Sequence, residues 1–330
     1  MDYFTPKENK LVCLLCGHYC ELKESQKGIC GVNQNLDGVI KNLVYGYPIA
    51  LHVDPIEKKP LYHFLPSSKT FSLGTIGCNF KCPFCQNWGI SQEKSLHVKE
   101  FFSPEHIVSL AKDNECKSIA YTYNEPAIFY PYAKDIALVA HKKGLKNVYV
   151  TNGFESSEVA QDMVGIIDAL NVDLKSFNPH YYQKELGGEL ERVLENLKFF
   201  KRHHLWVEVT TLIIPTKNDS DEELRQMATF IAQELGVSTP WHLSAFHPDF
   251  KETSLPRTSL QTLQRAYDIA KKAGLNHVYI GNTHCENDTL CVTCKEVLLQ
   301  RSYFNVTQNR LIKGCCPKCL NPLEGIFYDH

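Results

Sequence analysis

Gly77 to Gln92 reads GCNFKCPFCQNWGISQ and carries Cys78, Cys82 and Cys85 in a C-x3-C-x2-C spacing. Three thiols within eight residues read as metal ligands, because soft thiolates suit iron and zinc. The number is as informative as the spacing. A structural zinc site or a closed iron–sulfur cluster takes four protein ligands. Three thiolates on a four-iron cluster leave one iron for a ligand that is not protein. The bland alternative is a loop of reduced thiols or a redox pair, and three thiols at this spacing argue against it.

Upstream of the loop lies TFSLGTI (70–76), the first of seven candidate strands. The others are SIAYTY (118–123), NVYVTN (147–152), ALNVDL (169–174), LWVEVTTLII (205–214), WHLSAF (241–246) and HVYIG (277–281). Helical periodicities alternate with them. Ser103-Pro104 starts one helix, Gly144 ends the next, an acidic first turn opens DSDEELRQMATFIAQELG, and Gly274 closes SLQTLQRAYDIAKKAG. Strands alternating with helices predict an α/β fold with a parallel sheet, here a full or partial β/α barrel. The cysteine loop then falls at the C-terminal end of the first strand, where such barrels carry their chemistry.

Twelve of the fourteen cysteines fall into three groups, and only Cys116 and Cys285 stand apart. Such clustering favours metal sites over a disulfide framework. Cys291, Cys294, Cys316 and Cys319 form two C-x2-C pairs, the pattern of a closed zinc ribbon, although Lys295 and Leu320 stand where knuckles usually continue with glycine and Cys315 competes with Cys316. Cys13, Cys16, Cys20 and Cys30 suit either zinc, with His18 as another ligand, or an auxiliary iron–sulfur cluster that feeds electrons inward. The division is a cysteine-rich lead-in (1–66) with an irregular, proline-rich end, a barrel (67–283) and a zinc-ribbon-like module (284–330).

The loop resembles the signature of radical S-adenosylmethionine enzymes, with Phe84 in the aromatic position before the last cysteine. Together with KPLYHFLP (59–66), YTYNEP (121–126), VTNGF (150–154), VDLKSF (172–177) and HLSAFHPD (242–249), it resembles the radical enzyme of the AmmeMemoRadiSam system, a relative of pyruvate formate-lyase activating enzymes. The resemblance implies a [4Fe–4S] cluster on Cys78, Cys82 and Cys85 that reductively cleaves S-adenosylmethionine to a 5′-deoxyadenosyl radical. That radical would take hydrogen from a substrate, either a glycyl residue of a partner protein or a small molecule. The implied cofactor-binding residues are Phe84, Asn124, Glu125, Asp173, Lys175 and His247, while Asn152 reads as a turn residue. YTYNEP departs from the usual Gly-Gly-Glu-Pro by lacking both glycines. The implied partners are an external one-electron donor and the AMMECR1-like and Memo-like proteins of that system. No catalytic residue beyond the cluster follows from the motifs.

A net charge of −2 argues against a nucleic-acid partner. No apolar run reaches membrane-span length and MDYFTPKENK lacks a signal-peptide core, so the expected location is the cytoplasm. The competing reading is a non-catalytic iron–sulfur and zinc protein that carries electrons or scaffolds a partner.

Overall fold

A computed structural model describes residues 3–283 and 285–327. His284 and the outermost residues of the two end units, 1–2 and 328–330, lie outside the described residues. Two small antiparallel sheets come first. One joins β1 (Phe4–Lys7), β2 (Lys10–Cys13) and β3 (Glu21–Leu22). The other is the hairpin of β4 (Asn33–Leu36) and β5 (Val39–Asn42). Its two-residue turn, Asp37-Gly38, takes positive φ at both positions (55° and 74°), as tight hairpins require.

The main sheet has eight strands in chain order: β6 (Ala50–Pro55), β7 (Lys69–Gly74), β8 (Ser118–Tyr121), β9 (Lys146–Thr151), β10 (Ala169–Asp173), β11 (Trp206–Ile213), β12 (Trp241–Ala245) and β13 (Val278–Gly281). Strands β7 to β13 are parallel neighbours, each within two residues of its expected bounds. Between them run α1 (Trp88–Ser91), α2 (Pro104–Asp113), α3 (Tyr130–Lys142), α4 (Ser157–Asp162), α5 (Pro179–Tyr181), α6 (Leu190–Arg202), α7 (Asp221–Phe230) and α8 (Leu260–Lys272). The hydroxyls of Ser103, Ser156, Ser220 and Ser259 each accept an N–H from the first turn of α2, α4, α7 and α8. No helix among the described residues is long and apolar enough to cross a membrane.

Strand β6 differs from expectation. The proline-rich lead-in reads as an irregular connection, yet Ala50–Pro55 pairs antiparallel with Lys69–Gly74, so the chain enters the sheet before residue 67. Proline is tolerated there because β6 is an edge strand, whose outward N–H groups need no ladder partner. Residues 56–65 then plug the face that the helices leave open. Leu61 and Phe64 pack with Ala120, Val148 and Ala169 of β8 to β10, Tyr62 packs on Tyr279 of β13 at 4.7 Å, and Lys59 pairs with Asp54 of β6. A single segment reaches both edge strands only if the sheet curls round it. The edges β6 and β13 do not pair, so the curled sheet stays open.

The C-terminal unit, β14 (Thr289–Leu290), β15 (Val297–Ser302) and β16 (Asn305–Asn309), docks where the parallel strands begin. Ile326 bridges to Phe64, and the Arg301 guanidinium lies over the Tyr62 ring and donates to the carbonyl of Tyr62 at 2.8 Å. Beneath them Glu208 accepts the N–H groups of Tyr62 and His63 and pairs with His242 at 2.7 Å. This polar knot holds the plug and lies at the opposite end of the sheet from the cysteine loop.

Candidate active site

Past the end of β7 the chain turns into the cysteine loop through Gly77, whose φ is +85°. A Cβ at this position would lie 2.6 Å from the carbonyl oxygen of Cys30, so only glycine fits. Asn124 staples the turn. Its Oδ1 accepts the N–H of Thr75 at 3.1 Å, and its Nδ2 donates to Thr75 Oγ1 at 3.0 Å and to Gly77 O at 2.9 Å. Asn152 Nδ2 donates to Asn79 Oδ1 at 2.8 Å. The buried Phe80 ring packs on Phe154, and the N–H groups of Lys251 and Glu252 close over Pro83 O at 2.9 and 3.1 Å. The loop is thus held on several sides by parts of the chain remote in sequence.

Its three thiols line one cavity of about 260 Å³. The N–H of Phe80 points at Cys78 Sγ (3.4 Å), and Ser91 Oγ lies 3.1 Å from Cys85 Sγ. Burial pushes Cys82 up to about 11, with Lys175 pulling against it, and burial together with Glu125 raises Cys78 further. Free Cys78 and Cys82 thiols keep their protons, and a metal has to displace them.

The same cavity is lined by Asp173, the last residue of β10, and by Lys175. Lys175 Nζ is 2.7 Å from Asp173 Oδ2. Its backbone is fixed on both sides, the N–H donating to Tyr182 Oη (3.0 Å) and the carbonyl accepting Asn218 Nδ2 (2.8 Å). Burial alone would lower its pKa, but Asp173 and the Cys82 sulfur raise it above the usual lysine range, so the ammonium stays charged.

Glu125 also reaches the cavity wall, but its oxygens are already engaged. Oε1 accepts from the N–H of Ala127 and from Thr151 Oγ1, and Oε2 accepts the N–H of Asn152 at 2.7 Å. Thr151 Oγ1 lies 2.6 Å from Glu155 Oε1 as well. One hydroxyl proton cannot serve both carboxylates, so the pair retains a proton of its own. Burial and the charge of Glu155 accordingly push Glu125 up to about 8, and burial also raises Glu155. Glu125 ties the end of β8 to the end of β9 beneath Cys78.

Asn124 also lines the cavity, and His247 does not. The amide of Asn124 is spent on the backbone of residues 75–77, which makes it a positioning residue. His247 lies outside the cavity wall, with Nδ1 3.2 Å from Gln86 Nε2 on the outer rim. Phe84 lines the cavity. The sequence reading misses Thr210, Leu212, Ser244 and Asn282, which complete the wall from β11 to β13. The available signal was position: inward-facing residues two apart at the C-terminal ends of those strands.

At the far end of the sheet the sulfurs of Cys291, Cys294, Cys316 and Cys319 lie within 4.8 Å of one another. Cys315 is excluded, its sulfur turned to Lys313 O. Lys295 and Leu320 take φ of +61°, the left-handed conformation that glycine usually supplies in such knuckles. At the mouth, three soft sulfurs, with no further cysteine or histidine among the described residues of the cavity wall, and a charged pair in the same wall fit a cluster with one iron open to a zwitterionic ligand.

A profile of the Radical SAM superfamily matches residues 73–231. The chain is 41% identical over 309 residues to "Uncharacterized protein MJ0808" of Methanocaldococcus jannaschii, covering 92% of both chains. It is 21% identical over 217 residues to the pyruvate formate-lyase 1-activating enzyme of Escherichia coli strain K12, covering 60% of this chain and 87% of that enzyme. In fold it is similar to a radical SAM methyltransferase from Sphaerobacter thermophilus, with a TM-score of 0.52 at 15% identity over 66% of this chain and 67% of that one.

Proposed function

The chain belongs to the radical SAM superfamily and is an enzyme, and we propose that Cys78, Cys82 and Cys85 hold a [4Fe–4S] cluster whose open iron takes S-adenosylmethionine. The observation that carries this reading is one cavity lined both by the three thiols and by the Asp173–Lys175 pair. Bound together, cluster and cofactor supply one-electron cleavage of a sulfonium and, from it, hydrogen-atom abstraction. The protein's residues supply position. Lys175 suits the carboxylate of the cofactor's methionine part, and Asp173 its amine or hydroxyl groups. Asn124 and the Glu125–Glu155 pair keep the loop in register, and Phe84, Val150 and Leu212 wall off water. Thr210, Ser244 and Asn282 offer uncharged hydrogen bonds to a substrate entering the mouth. An external one-electron donor completes the system.

Similarity to a pyruvate formate-lyase activating enzyme supports hydrogen abstraction from a partner protein, and the motif set supports a place in the AmmeMemoRadiSam system. The four C-terminal thiols read as a zinc site whose role is to hold the plug. A pure electron carrier would have no use for a charged pair facing the thiols. Electron paramagnetic resonance of the dithionite-reduced, anaerobically reconstituted protein tests the reading. Adding S-adenosylmethionine should shift the four-iron signal. An unshifted signal would favour the carrier.

A further inference from the structure

The N-terminal cysteines have no part in that reading. Cys13 ends β2, Cys16 and Cys20 lie in the turn that returns as β3, and Cys30 precedes β4. The N–H of Cys13 bonds to Cys20 O at 2.9 Å, and the turn at Cys16 closes through the N–H of Tyr19. The N–H of Gly28 donates to Asn33 O at 2.8 Å, and a Cβ at Gly28 would lie 3.6 Å from Cys20 Sγ, so the chain passes close to that sulfur on its way to Cys30. Cys13, Cys16 and Cys30 are buried, Cys20 is half-buried, and all four are free thiols.

Their spacing is informative. Among the described residues, no three of these sulfurs gather within 4.8 Å of one another. The thiols of Cys78, Cys82 and Cys85 likewise stay further apart than that. The C-terminal quartet does not: Cys291 meets Cys319, and Cys294 meets Cys316, at 3.5 Å. Four sulfurs about one zinc ion stand only ~3.8 Å apart, given zinc–sulfur bonds of ~2.3 Å. A four-iron cluster occupies the middle of its ligands and holds them further apart. The N-terminal set therefore has the spacing of the cluster site and lacks that of the single-ion site.

We propose that Cys13, Cys16, Cys20 and Cys30 bind a second [4Fe–4S] cluster, closed by its fourth thiolate and packed against the back of the Cys78 loop. Asn33 Nδ2 donates to Cys30 Sγ at 3.5 Å, an N–H···S contact of the kind that tunes a cluster's potential. His18 is no ligand through Nε2, because that nitrogen bonds to Asn79 O at 2.9 Å. The contact is the point where the two sites meet, together with Cys30 O against Gly77. Cys16 also bridges to Glu155, the carboxyl that shares its proton with Glu125.

The test is iron, sulfide and zinc analysis of the full chain after anaerobic reconstitution, on the wild type and on the variant Cys78→Ala/Cys82→Ala/Cys85→Ala. The expected result is about eight irons per chain in the wild type, and about four, with a reducible cluster spectrum, in the variant. About four irons with two zinc ions in the wild type would overturn it, because the N-terminal site would then hold zinc. About four irons and a single zinc would also overturn it, because the site would then be empty. The wild-type count decides the matter even if the variant does not fold. Loss of the variant's open cluster with retention of the closed one separates this proposal from the reading of the main cavity.

Discussion

Lys175 Nζ stands 2.7 Å from Asp173 Oδ2 at the end of β10, and both face the cavity that Cys78, Cys82 and Cys85 line. The pair is preformed: the Lys175 backbone is pinned by Tyr182 and Asn218, so little ordering remains when a ligand arrives. Replacing Lys175 by Ala removes a charge-assisted bond of about 1.5–3 kcal/mol, which is about 10- to 100-fold in affinity. Equilibrium binding of S-adenosylmethionine to the reconstituted variant should weaken by that factor while iron content stays at the wild-type level. Unchanged affinity would take Lys175 out of the site.

Asn124 predicts a different phenotype. In Asn124→Ala the N–H of Thr75 and the carbonyl of Gly77 lose their partners in a buried turn. The cost should be about 2–6 kcal/mol, since each of the two orphaned groups costs about 1–3 kcal/mol. Calorimetry should show a lowered Tm and metal analysis a poorly retained central cluster. A variant with wild-type Tm and full iron would show that the turn does not depend on the staple.

At the other end of the sheet, Cys315 and Cys316 are adjacent in sequence, but only Cys316 belongs to the tetrathiol group. Cys316→Ser should lose the C-terminal metal and lower Tm, whereas Cys315→Ser should keep both. Metal analysis of the two variants checks this, and equal loss from both would refute the assignment.

His63 makes the docking of the plug sensitive to acid. Its buried ring donates from Nδ1 to Glu324 O (2.9 Å) and accepts from Tyr279 Oη (2.6 Å). Burial pulls its pKa down to about 4, against the opposing pull of Glu208. Unfolded histidine titrates near ~6.5, so the stability that the neutral ring contributes is complete above that pH and is lost as pH falls toward 4. The loss amounts to about 3 kcal/mol, and Glu208, itself held below the usual glutamate range by His242 in spite of burial, acts in the same direction at lower pH. Tm should fall between pH 7 and pH 5, and less so in His63→Gln. A flat profile would contradict this.

The seven parallel strands, the cysteine loop and the C-terminal pairs were legible because each has a local signature: period, flanking caps, or spacing. Strand β6 was not, because its prolines argue for extended connection and only the edge position makes them harmless. The role of residues 56–65 as a plug was hidden for a related reason: KPLYHFLP has no period, and its meaning lies in contacts with both edges of the sheet. Asn124 and Lys175 look alike in sequence, polar residues after strands. Only the partners of the Asn124 amide show that it holds the backbone. Lys295 and Leu320 looked like departures from a knuckle, yet both adopt the φ that the knuckle needs.

The most direct test of the central claim is turnover. Anaerobically reconstituted protein, reduced with dithionite and given S-adenosylmethionine, should release 5′-deoxyadenosine and methionine, and Cys82→Ala should release neither. An intact, reduced four-iron cluster on Cys78, Cys82 and Cys85 that leaves S-adenosylmethionine uncleaved would contradict the account.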